Sequence, residues 1–490
     1  MAELTKRSVA VSFIFQFPKD KTPDTVPKVA LFKRSDKVRT YQHKYAAVSG
    51  SIESTDANPL ATAWREIHEE TTLTPSSLTL FRKGMPYSFV DESIQREWTI
   101  NPFGFILGCD PSQIKIDWEH DSYEWFDPAA VTDESFPGVP RLLESLRRVW
   151  FVFDLGDPAS TTLDGGLTQL QADHESGARQ LAGIALGVFT RVLKQLDMTD
   201  EGVWWANVRR VAWHLWKNGR ESMGAPILSV MLSSLETIHA KIKKDGLSQR
   251  TIDDIVTSLE DLGQQRETST SKIANSFTTF LQQYPPENPI NIVTLSSSST
   301  ITSCLTHALT TLPHKMDIRI LESRPLYEGA KLAYKLSSYA ASHNIPIEIT
   351  VMTDAAAGIA AHDADLLLIG ADLIDKYGNV SNKTGSLPAV LAARHVSKNV
   401  KVVVVSEKEK VLPFEAPGHE ENDVGEVTGS WDGLGVKSEE GVKVRNVYFE
   451  WVDNGLVDAY VTDDGVSGTE DVRTWAGDIE RRANSVFEGL

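Results

Sequence analysis

Three carboxylates at helical spacing are the first residues in this chain that could do chemistry. Glu66, Glu69 and Glu70 stand at i, i+3 and i+4 in AWREIHEE, so a helix puts them on one face. That face concentrates negative charge and calls for a hard, oxygen-liking cation such as Mg2+ or Mn2+. Such ions clamp a diphosphate, polarise phosphorus and lower the pKa of a bound water, which opens a route to substitution at phosphate. On this reading Glu66, Glu69 and Glu70 are metal ligands and catalytic groups, and the adjacent Arg65 serves the substrate. The plainer reading is a solvated acidic face with Arg65 as an ion-pair partner.

A second set of candidates follows apolar, strand-like runs in the C-terminal half. Glu322-Ser323-Arg324-Pro325 comes after DIRIL, and Ile369-Gly370-Ala371-Asp372 closes ADLLLIG. In an α/β sheet the carboxyl ends of strands carry the ligand-binding groups. Arg324 would grip a phosphate bidentately, and Asp372 is the candidate general acid or base. GNVSNKTGS, from Gly378 to Ser386, leads into a predicted helix where backbone N–H groups, Asn382 and Lys383 could hold an anion. The run Ser296-Ser297-Ser298-Ser299-Thr300 reads either as a phosphate-binding helix start, with Ser296 and Ser297 on the ligand, or as a polar N-cap.

These groups need elements to hold them. At 490 residues the chain is too long for one core, so two or three domains are expected. Short runs rich in β-branched and aromatic residues (VAVSFIF, KVALFKR, FGFILGC, SYEWFD) predict an α+β unit over 1–152. Long amphipathic runs such as GARQLAGIALGVFTRVLKQL and APILSVMLSSLETIHAKI predict a helical domain over 160–285. Linkers are expected at FDLGDPASTTLDGG and QQYPPENP. From 288 to 490, NIVTL, DIRILES, IEITVMT, ADLLLIG and KVVVVS alternate with helix-length segments, which predicts a doubly wound, Rossmann-like parallel sheet. Pro417 to Gly441, rich in Gly and acids, is expected to be a long mobile loop.

Acidic residues outnumber basic ones by 67 to 49, for a net charge of -18, which repels a phosphate backbone. The pairs Arg147-Arg148 and Arg209-Arg210 read as solvated helix faces, so nucleic acid is not an expected direct partner. Cys109 and Cys304 are the two cysteines; far apart and in apolar surroundings, they suit a reducing compartment. No apolar stretch of about 18 residues is present and MAELTKRSVAVSF runs into a strand pattern, so a soluble, cytoplasmic protein is expected, with no membrane partner.

The first constellation resembles the Nudix box: Gly50 matches its opening glycine, and Arg65-Glu66-Ile67-x-Glu69-Glu70 its metal-orienting and metal-ligating core. The resemblance implies a metal-dependent hydrolase acting on a nucleoside diphosphate linked to another group. Asp56 stands where that pattern has Glu, one extra residue separates Asp56 from Arg65, and Thr72 replaces a closing glycine. These departures leave open a binding module that does not hydrolyse.

The second constellation resembles the alpha, beta and delta subunits of translation initiation factor 2B and their relatives, methylthioribose-1-phosphate isomerase and ribose-1,5-bisphosphate isomerase. The resemblance rests on ESRPLYEGAKLA, TDAAAG, GADLIDKYGNVSNKTGS, YFEWV and AYVTDDG, and on ADHESGARQLA and GRESMGAP nearer the N-terminus. It implies a phosphorylated-ribose pocket, with Arg220 reaching in from the helices, and a homodimer or larger assembly. It also implies that Asp372 matches the isomerase aspartate, while the isomerase cysteine falls at Ser296. A hydroxyl is far less acidic than a thiol and needs its own base. A non-catalytic sensor or assembly subunit is therefore the alternative to an isomerase, and Cys304 reads as a core residue.

Overall fold

The computed structural model describes the chain except residues 1–3, 19–25, 175, 416–417, 420 and 432–441. It divides into two compact units: residues to Gln169 with Val188–Gly219 and Gly489–Leu490, and Leu170–Gly187 with Arg220–Glu488.

In the first unit a mixed sheet is organised around the strand Thr5–Gln16, which runs parallel to Arg96–Leu107 and antiparallel to Lys28–Arg34 and Val48–Ser51. His120–Phe126 lies antiparallel on the outer side of Lys28–Arg34. The period of two in VSFIF and VALF sends alternate side chains to opposite faces. Ile14, Ala30 and Phe32 pack with Ala63 and Ile67 of the helix Pro59–Thr71. Phe13, Phe15, Val29 and Leu31 pack with Leu142, Leu146 and Val149 on the other face. Both faces are covered, which explains why these strands read as almost continuous apolar runs. The stretch expected to be a linker is helical instead, as Val152–Leu155 and Asp157–Ala172 broken by Gly156 at φ 74. Arg147, Arg148 and Arg210 are also not free helix faces: they pair with Asp154 and Glu144.

The second unit carries a seven-stranded sheet in the order Glu348–Met352, Met316–Leu321, Ile290–Leu295, Leu366–Ile369, Lys401–Val405, Ala459–Thr462, Gly465–Ser467. All neighbours are parallel except the last pair. Chain order thus runs outward from Ile290–Leu295 in one direction, then restarts at Leu366–Ile369 on its other side. The two adjacent strands between which the order reverses end in Leu295 and Ile369. At that reversal the connections leave in opposite directions and open a crevice at the carboxyl ends. One sheet face packs Ile292, Ile318, Ile320 and Leu368 against Ile301, Leu305, Leu332 and Leu336 of two helices. A small antiparallel sheet, Leu373–Ile374, Val380–Lys383 and Phe449–Val452, sits beyond the crevice strands. Part of the Pro417–Gly441 stretch lies outside the described residues; within the described part, Gly425–Thr428 is helical. Among the described residues no helix is long and apolar enough to cross a membrane.

Candidate functional sites

In the first unit, the helix bearing the acidic residues starts at Asn58, whose side chain accepts from the Ala61 N–H at 3.0 Å, with Pro59 as its first residue. This cap and the fixed φ of proline set the start sharply. The helix ends at Thr72 in the left-handed region, φ 61, with its N–H on the His68 carbonyl at 2.9 Å. A β-branched residue is strained there, and this is the position where the Nudix pattern has glycine. Thr71 and Leu73, both buried, anchor the turn from either side.

Arg65 organises the acidic residues. Its Nε and Nη2 donate to Asp56 Oδ1 and Oδ2 at 3.2 and 3.0 Å, and Nη2 also donates to the Ser51 carbonyl at 3.1 Å. Nη1 donates to Glu66 Oε1 at 2.7 Å and Glu69 Oε2 at 3.1 Å. A guanidinium has five N–H donors, and these contacts take all of them. In this structure Arg65 braces the box, its donors turned to these internal partners. Asp56 is held well below the usual carboxylate range by its hydrogen bonds from Arg65.

The three helical carboxylates meet three environments. Glu66 lines a cavity of about 340 Å³ together with Gly50, Arg34, Trp98 and Glu119. Burial raises both Glu66 and Glu119. Glu70 is buried below it, accepting from the Ser49 N–H at 3.2 Å and lying 3.5 Å from His120 Nε2. Burial, then the charges of Glu119, Glu66 and Asp117, push Glu70 well up, and burial pushes His120 down to about 4. Both partners of that contact are thus favoured in their neutral forms. Glu69 is half exposed on the Arg65 side. The shared helical face does not deliver a ready-made ligand set: among the described residues no group of three or more His, Cys, Asp or Glu could hold a metal ion. The donor chemistry nonetheless suits a hard dication, since Glu66, Glu70 and Glu119 repel one another and, among the described residues, Arg65 is the one Arg or Lys paired with the helical carboxylates. Glu119 was missed from sequence, where it stands just before the strand-like run SYEWFD.

In the second unit, a cavity of about 510 Å³ opens where the strand order reverses. Six of the seven binding and catalytic candidates of this half line it: Arg220, Ser296, Ser297, Asp372, Asn382 and Lys383. Joining them are Arg179, Glu328, Lys335, Glu407 and Lys410. In a chain of net charge -18, this cavity has five Lys and Arg against three carboxylates.

Most of these side chains have a partner within the unit. Ser298 caps the helix Ser299–Thr311 through the Ile301 N–H, so the serine run contains an N-cap while its neighbours face the cavity. Ser296 is left-handed, φ 65, donates its N–H to Ser323 Oγ at 2.7 Å and its hydroxyl to Glu328 Oε2 at 3.3 Å. Lys383 Nζ lies 3.3 Å from Glu328 Oε1, and Lys335 Nζ reaches Ser297 Oγ at 3.4 Å. Asn382 Nδ2 donates to Ser386 Oγ at 2.9 Å, and Arg220 Nη1 to the Asp173 carbonyl at 2.5 Å. Burial pushes the Asp372 carboxyl up, against the lowering influence of Lys410 and Lys383.

One expectation fails and another is narrowed. Arg324 does not line the cavity: Asp354 accepts from the Ser323 and Arg324 backbone N–H groups at 2.9 and 2.8 Å, and the guanidinium turns to Ser430 and the Tyr327 ring. TDAAAG thereby acts as a buttress for the ESRP turn. The start of the helix Ser386–Val396 is partly taken up, because Glu450 Oε1 accepts from Gly385 N and Leu387 N at 2.6 and 3.0 Å. Lys383 instead sits on the strand Val380–Lys383. Glu407 and Lys410 went unnoticed although SEKEK follows the apolar strand KVVVV, the same strand-end signal that singled out Asp372. Cys304 is a core residue whose thiol burial raises to about 12.

The description "Initiation factor 2 subunit family" matches residues 174–469, and "NUDIX domain" matches residues 6–149. The chain belongs to the initiation factor 2 subunit family and carries a NUDIX domain. Within the family it is 34% identical over 161 residues to methylthioribose-1-phosphate isomerase from Albidiferax ferrireducens, covering 32% of this chain and 43% of that protein. To ribose 1,5-bisphosphate isomerase from Haloterrigena turkmenica it is 29% identical over 168 residues, covering 32% and 48%. The chain thus spans less than half the length of these curated relatives. A solved structure of eIF2B beta from Chaetomium thermophilum is similar at 13% identity and TM-score 0.49, covering 65% of this chain and 92% of that one.

Proposed function

We propose that the chain couples a divalent-metal-dependent Nudix hydrolase, acting on a nucleoside diphosphate linked to another group, to a pocket that binds a phosphorylated ribose. The excess of cations lining the second cavity, in so acidic a chain, carries the second half of this reading. Lys335 and the serine hydroxyls suit a phosphate, and Asp372 suits the hydroxyls of a sugar. The strand order around the cavity supports the doubly wound, Rossmann-like reading of this unit. The relatives named for isomerases of ribose phosphates make the ligand class coherent. Hydrolysis of a ribose-containing diphosphate releases such a phosphate, so the two halves would serve consecutive steps.

In the first half, Glu66, Glu69, Glu70 and Glu119 are the residues that would hold Mg2+ or Mn2+. Bound there, the metal would supply charge neutralisation at phosphate and a more acidic water. Arg65 keeps Glu66 and Glu69 in place, and Gly50 leaves room for the Glu66 carboxylate. Magnesium-dependent release of a mononucleotide from ADP-ribose or a similar diphosphate, lost in Glu69→Gln, is the test. Absence of any metal-dependent product would reduce this half to a binding module.

Isomerisation is a second reading, favoured by one contact. The Ser296 hydroxyl, which lacks the acidity of a thiol, has a carboxylate at 3.3 Å in Glu328. Moving a carbonyl between carbons 1 and 2 of an open-chain sugar needs one group to take a proton from carbon and another to serve the oxygens. Glu328 through Ser296 would do the first and Asp372 the second. Ketose formation from ribose 1,5-bisphosphate, absent in Asp372→Asn, distinguishes this from binding alone.

A further inference from the structure

Behind Asp372 lies an ionic group that the resemblance did not point to. Glu407 follows the strand Lys401–Val405 and is 2% exposed. It pairs with Arg179, lies 3.0 Å from Lys410 Nζ and accepts from Thr300 Oγ1 at 2.9 Å. Lys410 Nζ in turn donates to the Ala371 carbonyl at 2.6 Å. That carbonyl belongs to the peptide that leads into Asp372, whose own N–H is held by the Ser381 carbonyl at 2.9 Å. The backbone of Asp372 is thus gripped on one side by the small sheet and on the other by a buried ammonium.

Charges agree with this geometry. Burial would raise Glu407, but Lys410 and Arg179 outweigh it and bring the carboxyl down to about 2. Burial would lower Lys410, but Glu407 and Asp372 outweigh it and hold the ammonium charged. A buried pair of this kind is a weak contributor to stability compared with apolar packing. Its value has to be sought in what it fixes, and the group it fixes lines the cavity.

We propose that Lys410 is a positioning residue for Asp372, with Glu407 as the anion that keeps it in place. Lys410 holds the Ala371 carbonyl, and with it the Asp372 carboxyl at the cavity wall. It also presents a fixed positive charge to that carboxyl. The groups facing Asp372 are Lys410, Lys383, Glu328 and Glu407; Lys410 is the one tied to its backbone. This rests on reading Asp372 as the proton-handling group of the pocket.

The experiment is a double-mutant cycle on the full chain, free of ligand, with urea stability followed from pH 4 to 9. The difference between wild type and Asp372→Asn reports the Asp372 titration, and the same difference is then measured in a Lys410→Met background. Removing a nearby cation from a buried carboxyl raises its midpoint, here by about one pH unit or more, and Lys410→Arg returns it. A midpoint unchanged in Lys410→Met overturns the proposal. If Lys410→Met does not fold, Lys410→Gln, which also removes the charge, takes its place with the same rise expected. No pH-dependent difference between wild type and Asp372→Asn removes the proton-handling reading itself, an outcome distinct from an unmoved midpoint. As a functional arm, affinity for ribose 1,5-bisphosphate falls in Lys410→Met and is restored in Lys410→Arg; full affinity in Lys410→Met counts against the role.

Discussion

A β-carbon built on Gly50 would stand 1.9 Å from the Cδ of Glu66. The strand Val48–Ser51 and the helix Pro59–Thr71 approach so closely that the glycine's missing side chain is the space the Glu66 carboxylate occupies. Gly50→Ala should push that carboxylate aside. Because the displaced atoms are the far end of a flexible side chain, the stability cost should stay below about 1 kcal/mol, less than for a rigid core clash. Displacement of the group by about 1 Å should lower metal-dependent hydrolysis roughly 100-fold. Parallel melting and turnover measurements decide; equal activity in the variant would remove Glu66 from the chemistry.

Glu70 gives a pH prediction with a definite sign. Its folded-state pKa lies well above the unfolded value of about 4.5. Between those two values the folded chain binds more protons than the unfolded one, so stability falls as pH rises through the window. Glu70→Gln should therefore be more stable than the metal-free wild type at neutral pH, with the advantage vanishing below about pH 4.5. Urea titrations from pH 4 to 8 measure this, and a variant less stable at every pH would contradict it.

Lys383 and Arg324 separate the cavity from its surroundings. Lys383→Met should weaken binding of ribose 1,5-bisphosphate by about 10- to 100-fold, the worth of a charge-assisted hydrogen bond to phosphate. Arg324→Ala should leave affinity within about twofold, since its guanidinium lies off the cavity and surface contacts contribute little. Calorimetric titration of both variants tests the pair; a large loss in Arg324→Ala would restore it to the site.

Ser296→Cys should raise ketose formation from ribose 1,5-bisphosphate relative to wild type, because a thiolate forms near neutral pH and a serine alkoxide does not. Product chromatography over a time course is sufficient. An inert variant would favour the pocket as a binding site alone.

Gly329 is needed for a different reason from Gly50. A β-carbon there would lie 1.8 Å from the Leu321 carbonyl oxygen, and backbone cannot swing away as a side chain does. Gly329→Ala should cost about 3 kcal/mol, seen as a lowered melting temperature, and should separate Glu328 from Ser296.

Sequence by itself determined the elements and most of the candidates. Periodicity of two and of 3.6 fixed the strands and helices because local sterics and burial act within a few residues. The strand-end rule found Asp372 and the serine run because a parallel sheet places its crevice there whatever the loops contain. Side-chain partners were another matter. Arg65 turned its donors to Asp56, Ser51, Glu66 and Glu69; Arg324 turned away because Asp354 held its backbone; Glu450 took up part of the helix start after Lys383. Glu119, Glu407 and Lys410 joined the cavities from segments tens of residues or more from the motifs. Only tertiary structure decides these outcomes, since a charged side chain takes the nearest partner in space, and that partner depends on how distant segments pack.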